Sequence, residues 1–229
     1  MEKIYNLSLF PVVLTAAAYL FGLWCKKKVK HPLCNPFFIA VIFVSAFLLI
    51  SKMPHGTYQA GTDKMGWLLT PATVCLAVPL YEQLKKLKNN VPAILCGVAA
   101  GAICSLALVG ITCLLFHLPR EITVSLLPKS ITTAMAMVLA EQSGGIASIA
   151  AGGVAITGLV GSLFGPMLCK LFRFKDPITQ GVAYGTASHV IGTSRVMEFS
   201  PLSGAVSTLS LVVAGVLTAI LMPILCLYI

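Results

Sequence analysis

The chain has 229 residues, 58% of them hydrophobic and 10% charged, with a mean hydropathy of +0.94. These values exclude a soluble globular domain and identify an integral membrane protein whose first partner is the lipid bilayer. The formal net charge of +9 does not point to nucleic acid, because the basic residues sit in short hinges between apolar runs (Lys26-Lys27-Lys28 with Lys30, Lys85-Lys86 with Lys88, Lys170 with Arg173 and Lys175), as in cytoplasmic loops.

In chain order, residues 4–24 and 33–50 read as two spanning helices joined by a basic turn at 25–31. Lys3 before an apolar run resembles a signal peptide, but the basic cluster follows the run, so the first helix is expected to be retained. Residues 51–66, with His55, Asp63, Lys64 and three glycines, read as an outside loop, and Trp67 as an interfacial aromatic. Residues 68–84 contain Pro71 and Pro79, each of which removes a backbone donor, so a broken helix is expected there. A basic turn at 85–90 leads to a span over 91–116, where Gly97, Gly101 and Gly110 allow close packing, and then to a loop at 117–121.

Residues 122–142 are apolar but interrupted by Pro128-Lys129-Ser130 and Thr132-Thr133, so they either cross or dip in and return. Residues 144–172 are a glycine-rich span, and 202–229 a final one. The fold class is therefore an all-α polytopic membrane protein with six to seven transmembrane helices and discontinuous or re-entrant polar helices. Six crossings follow if the 122 and 178 segments are both re-entrant. One membrane domain covers 1–229: two N-terminal helices over 1–66, then repeated units of broken helix plus span over 67–229. At an offset of 59, Thr73/Thr132, Ala77/Ala136, Glu82/Glu141 and Gln83/Gln142 match; at 56, Gly97-Val98-Ala99 matches Gly153-Val154-Ala155, and Cys113 matches Cys169. Transporters build midplane anion sites from such repeats, with half-helix N-termini facing the substrate.

The stretch 185–198 places His, Arg, Glu and hydroxyl residues inside an oily chain. As one helix it would set Thr186, His189 and Thr193 on one face and Ser188, Gly192 and Arg195 on another, leaving no side for lipid. Lys129 precedes Thr132 and Thr133 by three and four residues, hence on one helical face, and a helix starting at Pro128 would offer free N–H groups, Ser130 and an ammonium to a carboxylate. Lys129 can instead snorkel to the interface. Arg195 can clamp a carboxylate or pair with Glu198, and His189 can carry a coupled proton or serve as a hydrogen-bonded packing residue. Pro71, Thr73 and Pro79 are read, with Glu198, as coupling or structural positions. No catalytic residue, metal ligand set or cofactor fingerprint is present, and the eight cysteines contain no C-x-x-C pair and read as small buried hydrophobes.

Residues 69–81 (LTPATVCLAVPLY), 126–133 (LLPKSITT) and 185–198, with Asp176-Pro177 before the last, resemble the LrgB/CidB family of bacterial inner-membrane proteins. Thr70 stands where that family usually has Gly, and Ala134 where it often has Pro. The resemblance implies an LrgA/CidA-type small membrane partner in a holin-like or antiholin-like system affecting murein hydrolases and lysis. Through pyruvate-uptake relatives and the plastid glycolate/glycerate translocator, it also implies movement of small 2-oxo or 2-hydroxy monocarboxylates. The expected carrier site then has Lys129 and Arg195 on the carboxylate and Thr132, Thr133, Ser188 and Thr193 on the hydroxy or keto oxygen, with Ser130, Thr186 and His189 beside them. The glycine-rich spans are also compatible with a homo-oligomer. The competing expectation is an antiholin-like protein that tunes a partner's pore.

Overall fold

The computed structural model describes residues 9–28, 36–66, 71, 74–75, 77–88 and 90–228. The chain divides into two compact units, Met1–Cys75 and Leu76–Ile229. All regular structure among the described residues is helical.

The first unit holds α1 (Phe10–Lys28), α2 (Pro36–Ser51) and α3 (His55–Gly66). α1 continues through the three lysines instead of ending before them. It meets α2 where Gly22 lies against the Pro36 backbone, closer than a Cβ would permit. The expected loop at 51–66 is a helix over most of its length. Its composition is poor for helix formation, and packing overrides it: Tyr58 Oη and Thr15 Oγ1 are 2.8 Å apart, and Gly61 accepts the Pro11 ring. Pro71, in this unit, is exposed; Thr73 lies outside the described residues.

The second unit begins with two short helices, α4 (Ala77–Glu82) and α5 (Leu84–Lys88), interrupted at Gln83. Pro79 lies within α4 and the interruption falls four residues after it, while the expected turn at 85–90 is mostly helical. Three helices of 25 residues follow at intervals: α6 (Val91–Leu115), α9 (Ala147–Leu171) and α11 (Pro201–Leu225). These three are long and apolar enough to cross a bilayer, and α2 is a shorter apolar helix. α6 and α9 start 56 positions apart and end 56 positions apart, and both stop on a residue of positive φ, His117 (49°) and Arg173 (56°). In both, the amide after that residue returns to a cysteine carbonyl, Leu118 N to Cys113 O at 2.9 Å and Phe174 N to Cys169 O at 2.8 Å.

Between these spans lie two re-entrant hairpins. The first comprises α7 (Arg120–Leu126), a turn at 127–131, and α8 (Thr133–Gln142). It enters where Arg120 donates to Cys226 O at the end of α11 (3.0 Å). It descends until Ser130 Oγ meets Ser105 Oγ at 2.7 Å. Ser105 is ten residues from the α6 C-terminus, about 15 Å along the axis and so near mid-bilayer. The chain then returns, and Ile146 N donates to Ser125 Oγ (2.6 Å), closing the mouth. Gly144, at φ 84°, makes the exit turn.

The second hairpin is α10 (Pro177–Met197), folded back at His189 (φ 42°, ψ −140°). Asp176 caps its start, its Oδ2 accepting from Thr179 N at 2.8 Å. Along the inward arm Gly181 abuts Ser203 O and Val206, and Gly185 abuts Ser207 O and Ser210. On the outward arm Thr193 Oγ1 lies 2.7 Å from Ser207 Oγ and Met197 lies against Gly204. The same stretch of α11 therefore touches both arms in opposite order, which one straight helix cannot do. The single helix with two polar faces expected over 185–198 is corrected accordingly. α9 and α11 run in opposite directions, each preceded by a hairpin that opens from its own starting end.

Candidate functional site

The two hairpin tips meet at one turn of α9. The Lys129 Cβ lies 3.8 Å from where a Gly153 Cβ would stand, and at the next residue the Val154 carbonyl accepts from His189 Nε2 at 2.8 Å. The returning halves, α8 and the part of α10 after His189, both begin at this depth. Their positive dipole ends thus approach mid-bilayer from opposite sides. Thr132, the N-cap of α8, makes no side-chain cap bond.

The expectation that a helix starts at Pro128 is corrected. Residues 128–131 are a turn, with Ile131 N bonded to Pro128 O at 3.2 Å, so Lys129 does not share a helical face with Thr132 and Thr133. The buried Ile131 and Leu127 side chains pin the turn to the core. Ser130 is buried and anchored to α6. Thr132 is half-buried and Thr133 exposed.

Lys129 lines a cavity of about 500 Å³ that runs between α9 and α10 toward Phe172 and Phe174. Thr157, Tyr184 and Ser188 line it too. Among the described residues neither Lys129 Nζ nor Ser188 Oγ has a hydrogen-bond or ion-pair partner. The second unit's carboxylates, Glu82, Glu121, Glu141, Asp176 and Glu198, are all exposed. A half-buried cation facing a cavity with no acidic neighbour attracts an anion. The opposite end is closed by a packed cluster of Leu106, Val109, Val124, Leu127 and Met222.

The other sequence-selected residues separate. His189, 3% exposed and bonded to a carbonyl, occupies the place of a packing residue. Thr193 bonds His189 O and Ser207, and Thr186 bonds Val182 O and lines a different cavity beside Gly97 and Gly101. Arg195 pairs with Glu198 and stacks on Phe199 at 4.7 Å, lining a third cavity near the arm's end. Lys129 and Arg195 therefore do not face one cavity. Tyr184, which sequence reasoning passed over, forms a wall of both the Lys129 and Arg195 cavities, and its buried Oη has no partner among the described residues. The signal was the glycine spacing on α9: Gly158 receives the His189 ring, Gly161 receives Ser188, and Gly165 receives the Tyr184 ring.

Residues 15–227 match the model of the LrgB-like family. The chain belongs to this family. It is 34% identical to the holin-like protein CidB of Staphylococcus aureus over 96% of both chains, and 34% identical to the antiholin-like protein LrgB of Bacillus subtilis over 94% of both. It is also 36% identical to an uncharacterized protein of Haemophilus influenzae, over 89% of this chain and 90% of that one. No solved structure matches. Membership in the LrgB-like family places the two opposed hairpins in a polytopic membrane protein with bacterial relatives. Among the described residues no cluster of His, Cys, Asp or Glu could hold a metal ion.

Proposed function

We propose that this LrgB-like chain is the polytopic subunit of a holin/antiholin-like system in a bacterial inner membrane. There it modulates a pore formed with a small LrgA/CidA-type membrane partner, and through it murein hydrolase activity and lysis. The observation that carries this reading is the near-full-length similarity to proteins named holin-like and antiholin-like. The positive-inside rule assigns the end bearing Lys170, Arg173 and Lys175 to the cytoplasm.

A second reading is favoured by Lys129. One unpaired cation and a free serine hydroxyl, at the meeting point of two half-helix N-termini, suit a small monoanion such as a 2-oxo or 2-hydroxy carboxylate. The cavity runs toward the basic end and the hairpin core closes the other, so a carrier would stand open to the cytoplasm. Vesicles holding the chain alone, or with its small partner, separate the readings. Release of an uncharged dye only when the partner is present, with no saturable uptake of labelled pyruvate or glycolate, is the expected result for the pore modulator. Saturable uptake that is lost in Lys129→Met would replace it with the carrier.

A further inference from the structure

The cavity beside Arg195 differs in charge from the one at Lys129. Its volume is about 760 Å³, and Lys170, Arg173, Lys175 and Arg195 all line it. Glu198 is paired to Arg195, while Asp176, the nearest other carboxylate in sequence, spends one oxygen on capping Thr179. Three cations are therefore left in excess of Glu198. Phe174 and Phe199 add apolar walls, and Arg195 is held over the Phe199 ring, which orients its guanidinium.

Charges that only set topology need neither a cavity nor a fixed geometry. Here the four cations line one cavity with two aromatic walls, and one of the four is fixed over an aromatic ring. One cation suits a monoanion, whereas several converging cations including two arginines suit a group with higher charge and several acceptor oxygens.

We infer that this cavity is a binding site for a phosphate-bearing anion, separate from the Lys129 cavity and sharing with it the Tyr184 wall. The phosphate comes either from a soluble phosphate compound or from an anionic lipid headgroup at the same membrane face. Because Tyr184 borders both cavities, occupancy is coupled to the packing of the second hairpin. The site does not depend on what the Lys129 cavity binds.

The test uses purified full-length protein in phosphatidylcholine nanodiscs titrated with inorganic pyrophosphate, and native mass spectrometry of protein purified from membranes rich in phosphatidylglycerol. Both are run for the parent, for Arg173→Gln/Lys175→Gln, and for Lys26→Gln/Lys27→Gln as a basic cluster in the first unit. Saturable pyrophosphate binding, weakened at least about tenfold in the first variant and unchanged in the second, identifies a soluble-phosphate site. Phosphatidylglycerol retained by the parent and lost only in the first variant identifies a headgroup site. No saturable binding together with no retained lipid, or equal loss in both variants, overturns the proposal. Arg173, Lys175 and Lys27 are exposed and Lys26 is half-buried, so a melting curve of each variant accompanies the titrations.

Discussion

The two hairpins reach the same turn of α9 by different chemistry. The first is tied by Ser130 to Ser105, Ile146 to Ser125 and Arg120 to Cys226, buries Val124, Leu127 and Ile131, and carries Lys129 at its tip with no partner among the described residues. The second is packed against both neighbours through glycines, and its buried Thr186, His189 and Thr193 each bond a backbone carbonyl. The first hairpin thus presents a charge to the cavity at its tip, and the second forms the cavity's close-packed wall.

The sharpest way to break this contrast is at the glycines. A Cβ on Gly185 meets the Ser207 carbonyl and Ser210, and backbone cannot swing aside as a side-chain tip can. Gly185→Ala should destabilise by about 3 kcal/mol, the upper range for overpacking, read as a fall in Tm in detergent. Gly152→Ala, with open space around it, should stay within about 1 kcal/mol of the parent. Equal effects at the two positions would mean the second hairpin is not close-packed.

Next in size are the tips. His189→Ala should cost about 1–3 kcal/mol, since it removes a buried bond to Val154 O. His189→Gly loses the same bond yet enters the tip's φ 42°, ψ −140° region without strain, so it should fall less than alanine by about 1 kcal/mol. Lys129→Met should leave Tm unchanged or raised, because a half-buried charge is removed. If Lys129→Met unfolds the protein while His189→Ala leaves it intact, the division of labour is reversed.

The smallest effect is expected at Arg195. Its side chain is 22% exposed and that of Glu198 44%, so solvent screens the pair. Arg195→Gln should change stability by less than about 1 kcal/mol in the same melting assay. A larger loss would give the second hairpin a structural charge equal in weight to its packing.

Hydropathy alone located the three long helices of the second unit within a few residues, because a bilayer demands long apolar runs whatever their neighbours do. Proline and hydroxyl residues at 128–133 announced a break, and the Arg195–Glu198 spacing announced an ion pair. Family membership was legible in three ordered motifs. Other features were decided only in the tertiary structure. Whether residues 122–142 cross or return depends on Ser125 and Ile146, twenty-one residues apart, closing one mouth. The fold at His189 leaves no mark in composition, since a non-glycine residue holds that backbone only when α9 and α11 grip both arms. Lys129 and Arg195 looked like one clamp in sequence, and the hairpins direct them to different cavities. The helix at 55–66 ran against its own propensity, because Thr15 and Pro11 of α1 supplied its partners. Solvent transfer acts on each segment by itself and so is written locally, whereas the position of a buried charge is set by contacts between segments distant in the chain.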